Sequence, residues 1–86
     1  MTTVTLRYWA AAKEAAGLAE EAVDAATLAE ALDAARDRHA ATPRFAQVLR
    51  RCSYIVDGDP VGLRAADSVP LADGATVEVL PPFAGG

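Results

Sequence analysis

The chain has 86 residues, a hydrophobic fraction of 52% and a formal net charge of −4 at pH 7. This length supports one domain with a modest core, and the composition is that of a folded chain. Its eight basic side chains are scattered along an acidic sequence, which argues against a nucleic-acid partner. No apolar run approaches the roughly 20 residues of a membrane span and no signal peptide is evident, so we expect a cytoplasmic protein without a membrane partner.

Cysteine and histidine each occur once, which excludes several kinds of site. Cys52 alone cannot form an intramolecular disulfide or a four-cysteine iron–sulfur cluster, and we interpret it as a passive core or edge residue. His39 alone provides neither a zinc site nor a set of nucleophile, base and orienting acid. We therefore expect no metal site, no cofactor bound by this chain and no standalone enzymatic activity.

The first half of the chain carries clear local signals. Residues Thr3 to Tyr8 alternate polar and apolar, which predicts a strand with Val4, Leu6 and Tyr8 on one face. Residues 10–16 favour a short helix that Gly17 ends, and residues 20–25 form a weaker strand. A capping box formed by Thr27 and Glu30 then predicts a helix from Leu28 to about Ala40, with His39 over its last turn.

The second half of the chain has shorter predicted elements separated by turns. Pro43 can open another short helix, and residues 54–56 read as a strand before a turn-prone segment at 57–60. Asp73 and Gly74 mark a further turn, and residues 75–80 form the last strand. The order predicts an α+β domain over residues 1–80, specifically a β-grasp with a mixed sheet of four to five strands on one main helix. A ferredoxin-like sandwich is the alternative, but it needs a second long helix.

Residues 81–86 follow the last strand as a predicted flexible tail. Pro81 and Pro82 set a stiff, extended exit, and six residues can reach roughly 20 Å into another protein's cleft. Phe83 and Ala84 are apolar and gain nothing from solvent, so we expect a partner to bury them. Glycine lacks a Cβ, so Gly85 and Gly86 could pass a narrow channel and present an unhindered terminal carboxylate. The alternative is a frayed end or a cloning scar.

The sequence resembles the small subunit of molybdopterin synthase, within the ubiquitin-like sulfur carriers that include the thiamin thiazole carrier. The diproline ending with Gly-Gly is the most specific part of the resemblance. The residues that carry it span nearly the whole chain: Arg7-Tyr8-Trp9-Ala10, Lys13-Glu14-Ala15-Ala16-Gly17, Thr27-Leu28, Val56-Asp57-Gly58, Leu71-Ala72-Asp73-Gly74 and Leu80-Pro81-Pro82-Phe83-Ala84-Gly85-Gly86.

The resemblance implies a function for the terminal carboxylate. A ubiquitin-activating-like adenylyltransferase would use ATP and Mg to adenylate Gly86, and a sulfur donor would convert it to a thiocarboxylate. The large subunit of molybdopterin synthase would then take the tail and pass its sulfur to a pterin precursor, with two carriers for each dithiolene. The alternatives are a sulfur carrier for thiamin thiazole or cysteine biosynthesis, or a ubiquitin-like protein modifier.

Strand parity predicts a docking surface beside the tail. Trp9 falls in register with Thr5 and Arg7 on the outer face of the first strand, and Leu80 lies on the outer face of the last. If these strands are neighbours, Trp9 and Leu80 form an exposed apolar patch, with Val61 as a weaker third member. The alternative is that the strand has ended at Trp9 and its ring folds back onto the short helix.

Overall fold

Five strands form one mixed sheet in the order β2-β1-β5-β3-β4, in a computed structural model that describes residues 2–82. The central pair, β1 and β5, is parallel, and every other neighbouring pair is antiparallel. Three α-helices and a 3-10 turn at Ala66–Ser68 complete the fold. The strands and helices in chain order are β1 Thr3–Tyr8, α1 Ala10–Ala16, β2 Glu20–Asp24, α2 Leu28–Arg38, α3 Pro43–Leu49, β3 Ser53–Val56, β4 Asp59–Pro60 and β5 Thr76–Leu80.

The predicted helix-capping residues have the contacts and backbone conformations expected of them. The Thr27 hydroxyl accepts a hydrogen bond from the Glu30 amide at 3.2 Å, and the Glu30 carboxylate accepts one from the Ala26 amide at 2.8 Å. These two bonds satisfy donors at the first turn of α2, which ends at Arg38 with His39 as its C-cap. Gly17 ends α1 in the left-handed region, at φ 79°, where a side chain would be strained.

One face of the sheet carries the core. Val4, Leu6 and Tyr8 of β1 are buried, as their alternation predicts, together with Val77 and Val79 on the adjacent β5. All three helices contribute to the same hydrophobic cluster, and their buried residues are Ala12, Leu28, Ala31, Leu32, Ala35, Phe45 and Leu49. Because every helix packs on this inner face, the opposite face of the sheet has no helix over it among the described residues.

The β3–β4 hairpin turns at Asp57 and Gly58, which both have positive φ values of 48° and 84°. Two successive positive φ values are typical of the tight hairpin turn that matches strand twist. The sheet order and helix placement confirm the β-grasp, and α3 has only seven residues, too short for the second long helix of a ferredoxin-like sandwich. Within residues 2–82, no helix has the length and apolar character that a bilayer crossing requires.

Candidate functional site

The C-terminal tail begins at the end of β5, which is the middle strand of the sheet. Strand β5 lies between β1 and β3, so both sides of its last residues are hydrogen-bonded or paired. The Trp9 amide donates to the Val79 carbonyl at 3.2 Å, and Ser53 is the register partner of Leu80. Beyond Leu80, Pro81 is half-buried and Pro82 is exposed. The point from which the chain's end departs is therefore fixed on two sides.

The four residues predicted to act in the tail, Phe83, Ala84, Gly85 and Gly86, lie outside the described residues. Their roles stay predictions, as does the division into a domain of residues 1–80 and a tail of residues 81–86. The described residues define the base of the tail and the surface around it.

Three apolar residues outside the core lie at the end of β1 and on the outer face of β3 and β5, and we call Trp9, Ile55 and Leu80 the outer-face patch. Leu80 and Ile55 are half-buried and belong to neither the core nor the residues packed against it. Ile55 faces Glu78 across the β3–β5 pair, which makes Leu80 its diagonal neighbour on the same face. Tyr8 is the register partner of Val79, so Trp9 and Leu80 are the next residues along the neighbouring chain segments of β1 and β5.

The structure shows elements of both interpretations of Trp9. Strand β1 does end at Tyr8, and Trp9 is the N-cap of α1, as the alternative supposed. Its side chain is nevertheless 43% exposed, and the Arg7 guanidinium carbon lies 5.3 Å from the ring centroid. Arg7 is an outer-face residue of β1, and a guanidinium at this distance makes a cation–π contact. The ring is therefore accessible beside the outer face.

Val61 is not part of this surface, and the prediction that placed it there is wrong. Its exposed fraction is 5%, and it belongs to the hydrophobic core. The reason is its place opposite Tyr54: the Val61 amide donates to the Tyr54 carbonyl at 3.0 Å, which continues the β3–β4 register beyond Pro60 and puts Val61 on the inner face of the sheet. Ile55 takes its place, and the alternation rule applied to Tyr54, Ile55 and Val56 could have found it.

Cys52 behaves as a passive residue. It is half-buried, and its thiol donates a hydrogen bond to the Val48 carbonyl at 3.3 Å. Burial raises the pKa of the Cys52 thiol to about 11, so the nucleophilic thiolate is scarce at neutral pH. Lys13 is exposed on α1 and makes no ion pair within the described residues. Residues 2–82 contain no grouping of three or more histidine, cysteine or acidic side chains placed to hold a metal ion.

A polar cluster that the sequence analysis missed joins the sheet to the end of α2. Glu21 Oε2 accepts a hydrogen bond from the Tyr8 hydroxyl at 2.5 Å and lies 2.6 Å from His39 Nε2, while its Oε1 lies 3.4 Å from Arg38. The side chains of Glu21 and His39 are only 9% and 13% exposed. The His39 ring also lies 4.4 Å from that of Phe45, centroid to centroid.

The electrostatics of this cluster follow from its burial. Desolvation favours the neutral form of Glu21, but the hydrogen bonds with Tyr8, His39 and Arg38 outweigh it and lower the carboxyl pKa. Burial, together with the bond to Glu21, raises the pKa of Tyr8 well above its usual range. The predicted position of His39 at the helix end is confirmed, and its contacts make it a structural residue.

Solved structures with the same fold come from several kinds of protein. Small archaeal modifier protein 1 of Methanosarcina acetivorans superposes with a TM-score of 0.81 at 21% identity, covering 100% of this chain and 98% of that one. A chain of the BexX/CysO complex of Amycolatopsis orientalis gives 0.77 at 24%, covering 96% and 99%. A chain of the complex of subunits 1 and 2 of molybdopterin-converting factor from Helicobacter pylori 26695 gives 0.69 at 24%, covering 99% and 100%. At these identities the likeness establishes the fold.

Among curated proteins, no sequence matches this chain. The family comparison does find a match, and it extends from Leu6 of β1 through Gly86, the last residue of the chain. The fold and this match agree with the resemblance noted in the sequence. The chain belongs to the ThiS family of ubiquitin-like sulfur carriers.

Proposed function

We propose that this chain is the small subunit of molybdopterin synthase and carries sulfur as a thiocarboxylate on Gly86. The observation that supports this most directly is the family match over residues 6–86, which includes the Gly85-Gly86 ending. The position of β5 adds to it, because pairing on both sides of this strand holds Leu80, from which the tail begins.

The proposed chemistry needs a reactive carboxylate here and catalytic groups elsewhere. A carboxylate is a poor electrophile until one of its oxygens becomes part of a leaving group. The Gly86 carboxylate would attack the α-phosphorus of ATP and release pyrophosphate, which gives an acyl-adenylate. A sulfur nucleophile would then displace AMP and leave the thiocarboxylate. A ubiquitin-activating-like adenylyltransferase binds the ATP and Mg in this scheme, and we place the chain together with it in the cytoplasm.

The destination of the sulfur is the finer part of the proposal. The Helicobacter pylori neighbour is a chain of a complex between two subunits of molybdopterin-converting factor, which favours a large synthase subunit as the partner here. In this scheme the large subunit holds the pterin precursor and takes up the tail. Each carrier supplies one sulfur, so a dithiolene requires two loaded carriers.

The outer-face patch is the surface that we propose for partner docking. Trp9 is exposed, and Ile55 and Leu80 are half-buried without contributing to the core, so a partner could cover apolar area at no cost to the fold. Leu80 of the patch directly precedes Pro81 and Pro82, so a protein docked there would stand where the tail begins. Phe83 and Ala84 would then enter its cleft ahead of Gly85 and Gly86.

Two other destinations use the same first steps. The neighbour from the BexX/CysO complex favours a carrier that serves a different sulfur acceptor, as in thiamin thiazole or cysteine biosynthesis. The neighbour named a small archaeal modifier protein favours attachment to other proteins. In both cases Gly86 would be adenylated, and the difference lies in the acceptor. A carrier would pass its sulfur to a small molecule, whereas a modifier would bond its carbonyl carbon to a lysine of another protein.

Mass spectrometry separates these possibilities. The chain is incubated with an adenylyltransferase from its own organism, ATP, Mg and a sulfide source, and a gain of about 16 Da at the terminus indicates oxygen replaced by sulfur. Addition of the large subunit and the pterin precursor should then return the chain to its original mass and yield dithiolene. Isopeptide bonds between Gly86 and lysines of other proteins would instead identify a modifier, and a chain that never gains mass would refute the carrier function.

A further inference from the structure

The basic side chains are concentrated in one segment of the chain. Residues 36–51 contain five of the eight basic residues and one aspartate, a net charge of +4 in a chain whose total is −4. Helix α3 and the turn after it bring three of these together. Arg44, Arg50 and Arg51 line an open cleft of about 570 Å³ with Gln47 and Val48, and we call this the arginine cleft.

The charges of the arginine cleft are largely unpaired within the protein. Within residues 2–82, Arg50 and Arg51 have no carboxylate within 4.0 Å, and Arg44 has one, that of Glu14, at 4.0 Å between two exposed side chains. The neighbouring arginines of α2 differ, because Arg36 and Arg38 make closer pairs. In the described part of the chain, no acidic side chain lines the cleft. Like charges gathered without counter-charges repel one another, and a ligand of opposite charge would relieve that repulsion.

The arginine cleft is connected to the base of the tail through β3. Arg51 is two residues before Ser53, and Ser53 is the register partner of Leu80 at the end of β5. Only one residue therefore separates the cleft from the strand position that pairs with the start of the tail. A protein that takes up the tail and covers Leu80 would bring its own surface against these arginines.

We propose that the arginine cleft is an electrostatic docking site for an acidic segment of the adenylyltransferase. Guanidinium groups pair well with carboxylates, and unpaired charges beside an apolar patch steer association and fix orientation. A nucleic acid fits less well, because the net charge of the chain is negative and, among residues 2–82, no aromatic side chain lines the cleft for base stacking. This inference rests on the proposed carrier function, which supplies the partner.

The test compares two charge reversals in the full chain. Arg51→Glu removes an unpaired charge from the cleft, whereas Arg64→Glu makes the same change in net charge at an arginine paired with Asp59 at 3.3 Å. We expect the Arg51 variant to raise the KM for the carrier in adenylation by about tenfold at low salt and by about twofold or less near 0.5 M salt, with kcat unchanged. The Arg64 variant should match the wild type, and thermal unfolding checks that both variants fold.

The outcomes distinguish a failure of the docking site from a failure of the carrier function. If the wild-type chain is not adenylated, the carrier function itself fails. If it is adenylated and the Arg51 and Arg64 variants show the same KM at every salt concentration, the docking site is refuted while the carrier function stands. Tight binding of a labelled single-stranded oligonucleotide that Arg51→Glu abolishes would also overturn the proposal, because it would assign the cleft to nucleic acid.

Discussion

Replacing Glu21 with alanine should remove much of the stability of this domain, although the residue lies on an edge strand. Its carboxylate has close contacts with Tyr8 and His39, at 2.5 and 2.6 Å, and is 9% exposed. A hydrogen bond to a charged group contributes about 1.5 to 3 kcal/mol, and removing the acceptor leaves buried polar partners unsatisfied. We expect a loss of about 3 kcal/mol, against a total of roughly 4 to 13 kcal/mol for a chain of this size.

The adjacent residue provides a matched control. Glu20 lies on the same strand, its side chain is 60% exposed, and its contact is an ion pair with Arg7 at 3.6 Å. Such surface pairs contribute about 0.2 to 1 kcal/mol, so Glu20→Ala should cost no more than about 1 kcal/mol. Urea unfolding with equal m-values would measure both losses. If the Glu21 and Glu20 variants differ by less than about 0.5 kcal/mol, the cluster does not stabilise the fold as argued.

The same cluster predicts the direction of the pH dependence. The pKa of Glu21 is lowered from its ordinary 4.5, so in acid the unfolded chain takes up the proton first. The contribution of Glu21 is therefore complete above about pH 4.5 and is lost as the pH falls through its lower folded pKa. Unfolding free energies measured from pH 7 to pH 3 should fall more steeply in the wild type than in Glu21→Ala. Equal slopes in this window would contradict the assignment.

Three further predictions concern the site. Deleting Gly86 should abolish thiocarboxylate formation in the mass-spectrometric assay and leave the unfolding midpoint unchanged, and a large drop in that midpoint would contradict a role outside the core. Trp9→Asp or Leu80→Asp should weaken partner binding, measured by calorimetry, more than it lowers stability, and equal losses would place these side chains in the core. Because its pKa is about 11, native Cys52 should react with iodoacetamide at pH 8 about 100-fold more slowly than in the unfolded chain, and equal rates would refute its burial.

Local signals account for the parts of the fold that the sequence predicts. The alternation in Thr3–Tyr8 defines both a strand and its buried face, since the period of two belongs to the strand alone. The capping box at Thr27 fixes the start of α2, because the bonds that form it join residues within four positions of each other. Such signals need no knowledge of the rest of the chain.

The errors arise where pairing between distant segments decides the outcome. The segment around Val61 has no strong local pattern, and only its pairing opposite Tyr54 shows that it faces the core. The local pattern places Glu21 only in a weak strand, since nothing near it in sequence reveals Tyr8 and His39 as partners. Both depend on contacts across more than five positions, which a local pattern does not contain.

The position of β5 connects the fold to the proposed function. The strand is central, so the Trp9 amide holds it on one side and the pairing of Leu80 with Ser53 holds it on the other. The base of the tail is therefore fixed relative to both the outer-face patch and the arginine cleft. A partner that docks on these surfaces would find the tail starting from one place, which reduces the search that its reactive end must make. Docking and chemistry should consequently separate in variants: substitutions at Trp9 or Arg51 should raise KM, and removal of Gly86 should eliminate the reaction.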